Sequence, residues 1–249
     1  MDRKIAITNQ KGGVGKTTTA LGLAAAFQFK GKKVLLVDLD TQGNASAALG
    51  LILEQDTLTL KDLLSKKANP SSYIVSTDFL DIIPSNNSLK DIEQDLLQND
   101  TFDLLKRCLA PIEADYDFIL FDCPPSFNVF TINGLVAADE YIIPVDVGYF
   151  AILGLKQLLE EIDQIKQKLN PSLSLMGVLA SKFDKRTTLS DQVLETLKNN
   201  FQDTFFKTAI RVNIDLVRAQ IANESIFKFN PKSTGAQDFL SLSEEIIND

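Results

Sequence analysis

Residues 4–20 read KIAITNQKGGVGKTTTA, and the fold is decided here. KIAIT is a short apolar run, and from Gly15 to Lys30 apolar side chains recur at helical spacing. Gly12, Gly13 and Gly15 stand between the two. A loop from a parallel strand into a helix lies at the carboxyl end of its sheet, where α/β folds take their ligands. Glycines let that loop turn tightly and bring backbone N–H groups onto phosphate oxygens, and the helix start adds its dipole. Lys16 then reaches the β- and γ-phosphates and the Thr17 hydroxyl ligates Mg²⁺, with Val14 and Thr18 as further parts of the cradle. The usual pattern, G-x-x-x-x-G-K-[ST], would put a glycine at position 10. Gln10 stands there instead, with a second lysine, Lys11, beside it. One lysine is enough to hold a phosphate, so Lys11 calls for a separate role.

Outward from the loop, strands and helices alternate. KKVLLVDLD (32–40) reads as a buried parallel strand ending in carboxylates, and FLDIIPSN (79–86), YDFILFDCPPS (116–126), EYIIPVDV (140–147) and LSLMGVLASKF (173–183) read as further strands. Helices are expected at 57–64, at 88–98 entered through Ser88, and at 101–112, 130–138 and 151–169, with helix, strand and helix following to the C-terminus. This rhythm predicts one α/β domain over 1–249, a doubly wound, mostly parallel sheet with helices on both faces. Asp38 and Asp40 are two residues apart at a strand end and so point the same way, next to the phosphate loop.

Composition narrows the chemistry. The 249 residues contain no histidine, which removes Ser-His-Asp, Cys-His and His-ligated metal sites together. Two cysteines, Cys108 and Cys123, make neither a disulfide framework nor a zinc site and fit a reducing cytoplasm. No apolar run approaches the roughly 18 residues that span a bilayer, and MDRKIAITNQ lacks the layout of a signal peptide. Net charge is −8, but Phe205–Gly235 carries +3, which leaves −11 for the remainder. That late segment is either an ordinary solvated face or the part of the chain through which a polyanion would be met.

KGGVGKTT resembles the deviant phosphate loop of the ParA/MinD group of P-loop ATPases, and the resemblance extends along the chain. VLLVDLDTQGNASAALG looks like that group's second motif, and YDFILFDCPPSFNVFTINGLVAADEYIIPV like its Walker B strand and following helix. YFAILGLKQLLEEI and FDKRTTLSDQV are similar to ParA in particular. The resemblance implies a Mg-dependent ATPase that forms a nucleotide-sandwich homodimer. It gives Lys11 a role in trans on the partner's ATP and Lys16 one in cis, comparable to an arginine finger. It makes Asp122 the Walker B aspartate, which holds Mg²⁺ through water, Asp40 the residue orienting the attacking water, and Asp38 a support of the metal site. Asn213 would help bind adenine, and Arg211 stands where a proline usually lines the base.

The implied partners are a ParB-like stimulating protein and non-specific nucleoid DNA, and the implied hydrolysis is slow without the partner. DNA would be met by Lys185, Arg186, Lys207, Arg211, Arg218, Lys228 and Lys232. The late run IRVNIDLVRAQIANESI departs from the family's usual IPRNVRLAEAPSYGKPI, which weakens the DNA assignment. A positioner of some other cargo, with the same switch, is the alternative. A MinD-like membrane role would need a basic amphipathic tail, whereas SLSEEIIND is acidic. An iron protein of the nitrogenase kind would need paired cysteines at a dimer seam, which Cys108 and Cys123 do not supply. A separate N-terminal DNA-reading domain is not expected, because the first strand begins by about residue 4.

Overall fold

A computed structural model describes residues 3–53, 57–66, 69–146, 151–184 and 188–248, without the side chains of 151–153 and 188–191. The chain opens with β1 (Arg3–Ile7), α1 (Lys16–Phe29) and β2 (Val34–Asp38). Next come α2 (Asn44–Ala48), α3 (Leu60–Lys66), β3 (Val75–Ser76), β4 (Asp81–Ile83), α4 (Glu93–Gln98) and α5 (Leu104–Leu109). β5 (Phe118–Asp122), α6 (Val129–Ala137), β6 (Glu140–Asp146), α7 (Ala151–Lys168) and β7 (Ser174–Ser181) complete the sheet. α8 (Thr188–Phe201), α9 (Ile214–Ile221), α10 (Ile226–Phe229) and α11 (Thr234–Ile247) close the chain.

The strand order is β3-β4-β2-β5-β1-β6-β7, parallel throughout except for the short edge strand β3. Side chains alternate between two cores because a strand turns successive residues to opposite faces. Leu35, Val37, Ile119 and Phe121 enter one core with α3, α5, α6 and α7. Val34, Leu36, Phe118 and Leu120 enter the other with α1 and α11. The expected doubly wound sheet, covered on both faces, is what forms.

Several boundaries differ from the sequence expectation. The helix expected from Ser88 begins as a tight 3₁₀ stretch, Asn87–Ile92, capped by Asn86, whose side-chain oxygen accepts from Ser88 N–H. Only Asp81–Ile83 of the 79–86 run pairs as strand, since Pro84 cannot continue the ladder. The strand expected between α8 and α9 is reduced to two isolated bridges, Phe205 with Val178 of β7 and Arg211 with Phe183 just beyond it. β2 ends at Asp38, so Asp40 lies in the following turn rather than on the strand.

Candidate functional site

Three parallel strands deliver the site. In register, Ile7 of β1 lies beside Asp122 of β5, and Asp122 beside Asp38 of β2. All three residues end their strands, so the phosphate loop and two carboxylates emerge together at the carboxyl end of the sheet. The loop follows the sequence closely. Gly13 (φ 73°) and Gly15 (φ 88°) occupy the left-handed region that side-chain-bearing residues avoid, and Gly15 is the residue from which α1 starts. The first turn of α1 contains no acidic residue, which leaves its N–H groups and dipole to an anion.

The two lysines separate cleanly. Lys16 is buried, and its Nζ donates to the Lys11 carbonyl at 3.1 Å, which folds it back over the loop. Burial lowers its pKa, and the Asp122 and Asp40 charges offset only part of that. Lys11 is exposed at the rim beside Gly12 and Gly13. Its backbone N–H is held by the Asn9 side chain at 3.0 Å. Gln10, in the place of the usual glycine, bonds the Glu161 carboxylate of α7 and so anchors the loop's first residue.

The carboxylates also divide. Asp38 is fully buried and accepts from Asp40 N–H (3.1 Å), Ser46 N–H (3.0 Å) and the Ser46 hydroxyl (2.7 Å). The Ser46 oxygen in turn accepts from Ser85 N–H at 3.0 Å. Asp38 thus holds the turn that presents Asp40. Asp40 accepts from Gln42 N–H at 2.9 Å and lines the cleft. Asp122 is fully buried, and neither of its oxygens has a hydrogen-bond partner of ordinary geometry among the described residues. Burial and the adjacent Asp38 push its pKa well up, against the Thr17 hydroxyl and Lys16. Burial likewise raises Asp38, to about 6.

A buried, unpartnered carboxylate beside a phosphate loop fits a divalent cation. Among the described residues no three His, Cys, Asp or Glu side chains gather to hold a metal by themselves. Mg²⁺ in such sites takes one or two protein groups and fills its remaining positions with phosphate oxygens and water, so the donor set here is sufficient. Asp122 and Thr17 are the residues that would hold it, with Asp38 behind them. When bound, the ion would neutralise charge on the β- and γ-phosphates.

The cleft measures about 400 Å³ and is lined by Gly12, Gly13, Gly15, Lys16, Thr17 and Thr18 of the loop, with Asp40, Asn44, Ala48, Pro125, Lys182 and Gln220 around them. Of the loop residues expected in the site, Lys11 and Val14 do not line the cleft: Lys11 is at the rim, and Val14 is buried, its carbonyl accepting from the Ser181 hydroxyl at 2.6 Å. Sequence reasoning missed Lys182 and Gln220. Lys182 follows β7 and Gln220 lies in α9, far along the chain, and neither carries a motif.

The late segment is placed differently from its assigned roles. Asn213 caps α9 by accepting from Asp215 and Leu216 N–H, and its amide donates to the Thr234 hydroxyl. The Arg211 guanidinium is spent on Asp238, with two bonds of 3.0 Å from Nε. Neither residue lines the cleft. Arg218 pairs with Asp215, and Lys228 with Glu224 and Asp78. Lys207 and Lys232 are exposed, while Lys185 and Arg186 lie outside the described residues. Val212, Ile214, Val217 and Ile221 form an exposed aliphatic stripe between the cations.

A parallel sheet with a glycine loop entering α1, a folded-back lysine and an orphaned aspartate at one strand end defines a P-loop protein built for Mg²⁺-bound nucleotide. Known proteins agree. A family model described as an AAA domain matches residues 2–175. The sporulation initiation inhibitor protein Soj of Bacillus subtilis is 41% identical over 249 residues, with 99% of this chain and 98% of Soj covered. The chromosome partitioning protein ParA of Myxococcus xanthus is 37% identical over 248 residues, covering 98% of this chain and 88% of its own. Crystallised cobyrinic acid a,c-diamide synthase from Mycobacterium smegmatis, with bound ADP and magnesium, is 34% identical with a TM-score of 0.87, covering 99% of this chain and 94% of that one. The same protein has also been crystallised with an ATP analog and magnesium. The chain belongs to the ParA/Soj family of P-loop ATPases.

Proposed function

We propose that this chain is a DNA-partition ATPase whose ATP-bound homodimer holds non-specific nucleoid DNA and is released when a ParB-like partner stimulates hydrolysis. The observation that carries the reading is the separation of the two lysines. Lys16 is buried in the cleft and serves the chain's own phosphates, whereas Lys11 is exposed at its rim, where a second protomer's nucleotide can be reached. Phosphoryl transfer spreads negative charge over the phosphoryl oxygens, and a cation supplied in trans stabilises it. Hydrolysis then depends on dimerisation and is slow in the isolated protein. The names of the Bacillus and Myxococcus relatives support partition as the task, and Asp40, at the cleft on the turn held by Asp38, would orient the attacking water.

The test uses two variants. Lys11→Ala should bind Mg·ATP within about threefold of wild type, yet lose most turnover and ATP-dependent dimer, as expected when only transition-state and trans contacts are removed. Asp40→Ala should accumulate as an ATP dimer by sedimentation and bind random duplex DNA in ATP but not in ADP. Unchanged turnover in Lys11→Ala would defeat the trans role. A second reading, a positioner of protein cargo, is favoured by the aliphatic stripe at Val212, Ile214, Val217 and Ile221. An Asp40→Ala dimer that ignores DNA would select it.

A further inference from the structure

The cleft has two walls of opposite charge. On one stands Asp40, with Asp38 and Asp122 behind it. On the other stands Lys182, the first residue beyond β7. The strand order puts β1 and β6 between β5 and β7. Three interstrand steps of about 4.8 Å therefore hold the Asp122 and Lys182 backbones roughly 14 Å apart. Lys182 therefore stands at the end of the cleft away from the metal-bearing carboxylates.

Three further observations mark Lys182 as more than a surface lysine. Its backbone sits at φ 53°, in the left-handed region, where a side-chain-bearing residue is disfavoured and strain tends to mark function. The preceding residue fixes it against the phosphate loop, because the Ser181 hydroxyl donates to the Val14 carbonyl at 2.6 Å. Its side chain is exposed toward the cleft and forms no ion pair or hydrogen bond with a described residue. The residues expected at the nucleoside end, Arg211 and Asn213, are committed to Asp238 and to capping α9.

We infer that Lys182 is the cation for the inner, α-phosphate end of the nucleotide. This rests on the nucleotide reading of the site and extends it. A Mg-bound polyphosphate presents its metal-bearing terminal end to the acidic wall and its metal-free inner phosphate to the basic one. A compact ammonium suits a phosphate oxygen, and the pair orients the nucleotide along the loop. The α-phosphate is common to ATP and ADP, so the contact contributes equally to both and falls on ground-state binding rather than on the transition state.

The experiment is titration calorimetry of wild type and of Lys182→Gln, Lys182→Arg and Lys182→Gly with Mg·ATP, Mg·ADP and inorganic triphosphate, alongside steady-state ATPase. Lys182→Gln should weaken all three ligands about tenfold, the loss of one charge-assisted contact, and raise KM more than it lowers kcat. Lys182→Arg should recover most of the affinity. Lys182→Gly removes the backbone strain, so it should melt no lower than wild type yet bind as poorly as Lys182→Gln. A glycine variant that binds like wild type would reduce Lys182 to a turn residue and overturn the assignment. So would a loss confined to ATP, which would place the lysine at the terminal phosphate, or triphosphate binding left intact, which would place it on the base. Wild type that binds none of the three would instead sink the nucleotide reading itself.

Discussion

Asp38 and Asp122 are two carboxyl groups side by side in register, both fully buried. Ionising both without a cation is unfavourable, and burial holds Asp38 at about 6 against an ordinary 3.8. Between those two values the nucleotide-free folded protein keeps a proton that the unfolded chain has released. The Asp38 contribution to stability must therefore fall as pH rises from about 4 to about 6, and Asp122, whose pKa burial and Asp38 also push well up, acts in the same direction. A cation held by these groups displaces the proton, so Mg·ADP should raise the melting temperature little at pH 5 and several degrees more at pH 7.5. Thermal melts with and without Mg·ADP across that range check the sign. A shift that shrinks as pH rises would mean that the carboxylates do not face the ion.

α1 shows why one element can be read from sequence while its surroundings cannot. KTTTALGLAAAFQF is buried on nearly every side, and α11 packs directly against it. A methyl group added at Gly22 would lie 2.4 Å from the Phe239 ring, far inside contact distance. Gly22→Ala should cost about 1–3 kcal/mol in urea unfolding, despite the better helix propensity of alanine, because the two helices must move apart. The phosphate loop, the carboxylates at strand ends and the doubly wound order were legible because each is a local pattern: glycines in frame between a strand and a helix, or apolar runs ending in aspartate. Phe239 against Gly22, Lys182 and Gln220 against the loop, and Asp238 against Arg211 were not. Each joins residues distant in the chain, and nothing in the local sequence at one partner signals the other. Asn213 illustrates the same limit from the other side. Its position in the motif suggests a base contact, and its second role, as the cap of α9, was not part of that reading.

At the scale of the whole molecule, an acidic chain can hold DNA only through cations that are free to meet phosphates. Of the seven named in the sequence, Arg211, Arg218 and Lys228 already face Asp238, Asp215 and Glu224. Asp238 is itself nearly buried, so the Arg211 pair is the least able of the three to open. Lys207 and Lys232 remain exposed, two per protomer and four in the proposed dimer. Each neutralised phosphate contributes about −0.9 to the slope of log K against log salt, so these four lysines supply about −4, before any share from Lys185 and Arg186. In the Asp40→Ala background with ATP, adding Lys232→Ala should flatten the slope by about 2 and weaken binding evenly across DNA sequences. Adding Arg211→Ala should leave the slope unchanged and lower the melting temperature, since it strips the partner from Asp238 rather than from DNA. A slope that falls by about 2 on Arg211→Ala would mean that the Asp238 pair opens on binding. The late segment would then rearrange between its free and DNA-bound forms, and the salt series would have detected a conformational step in the switch.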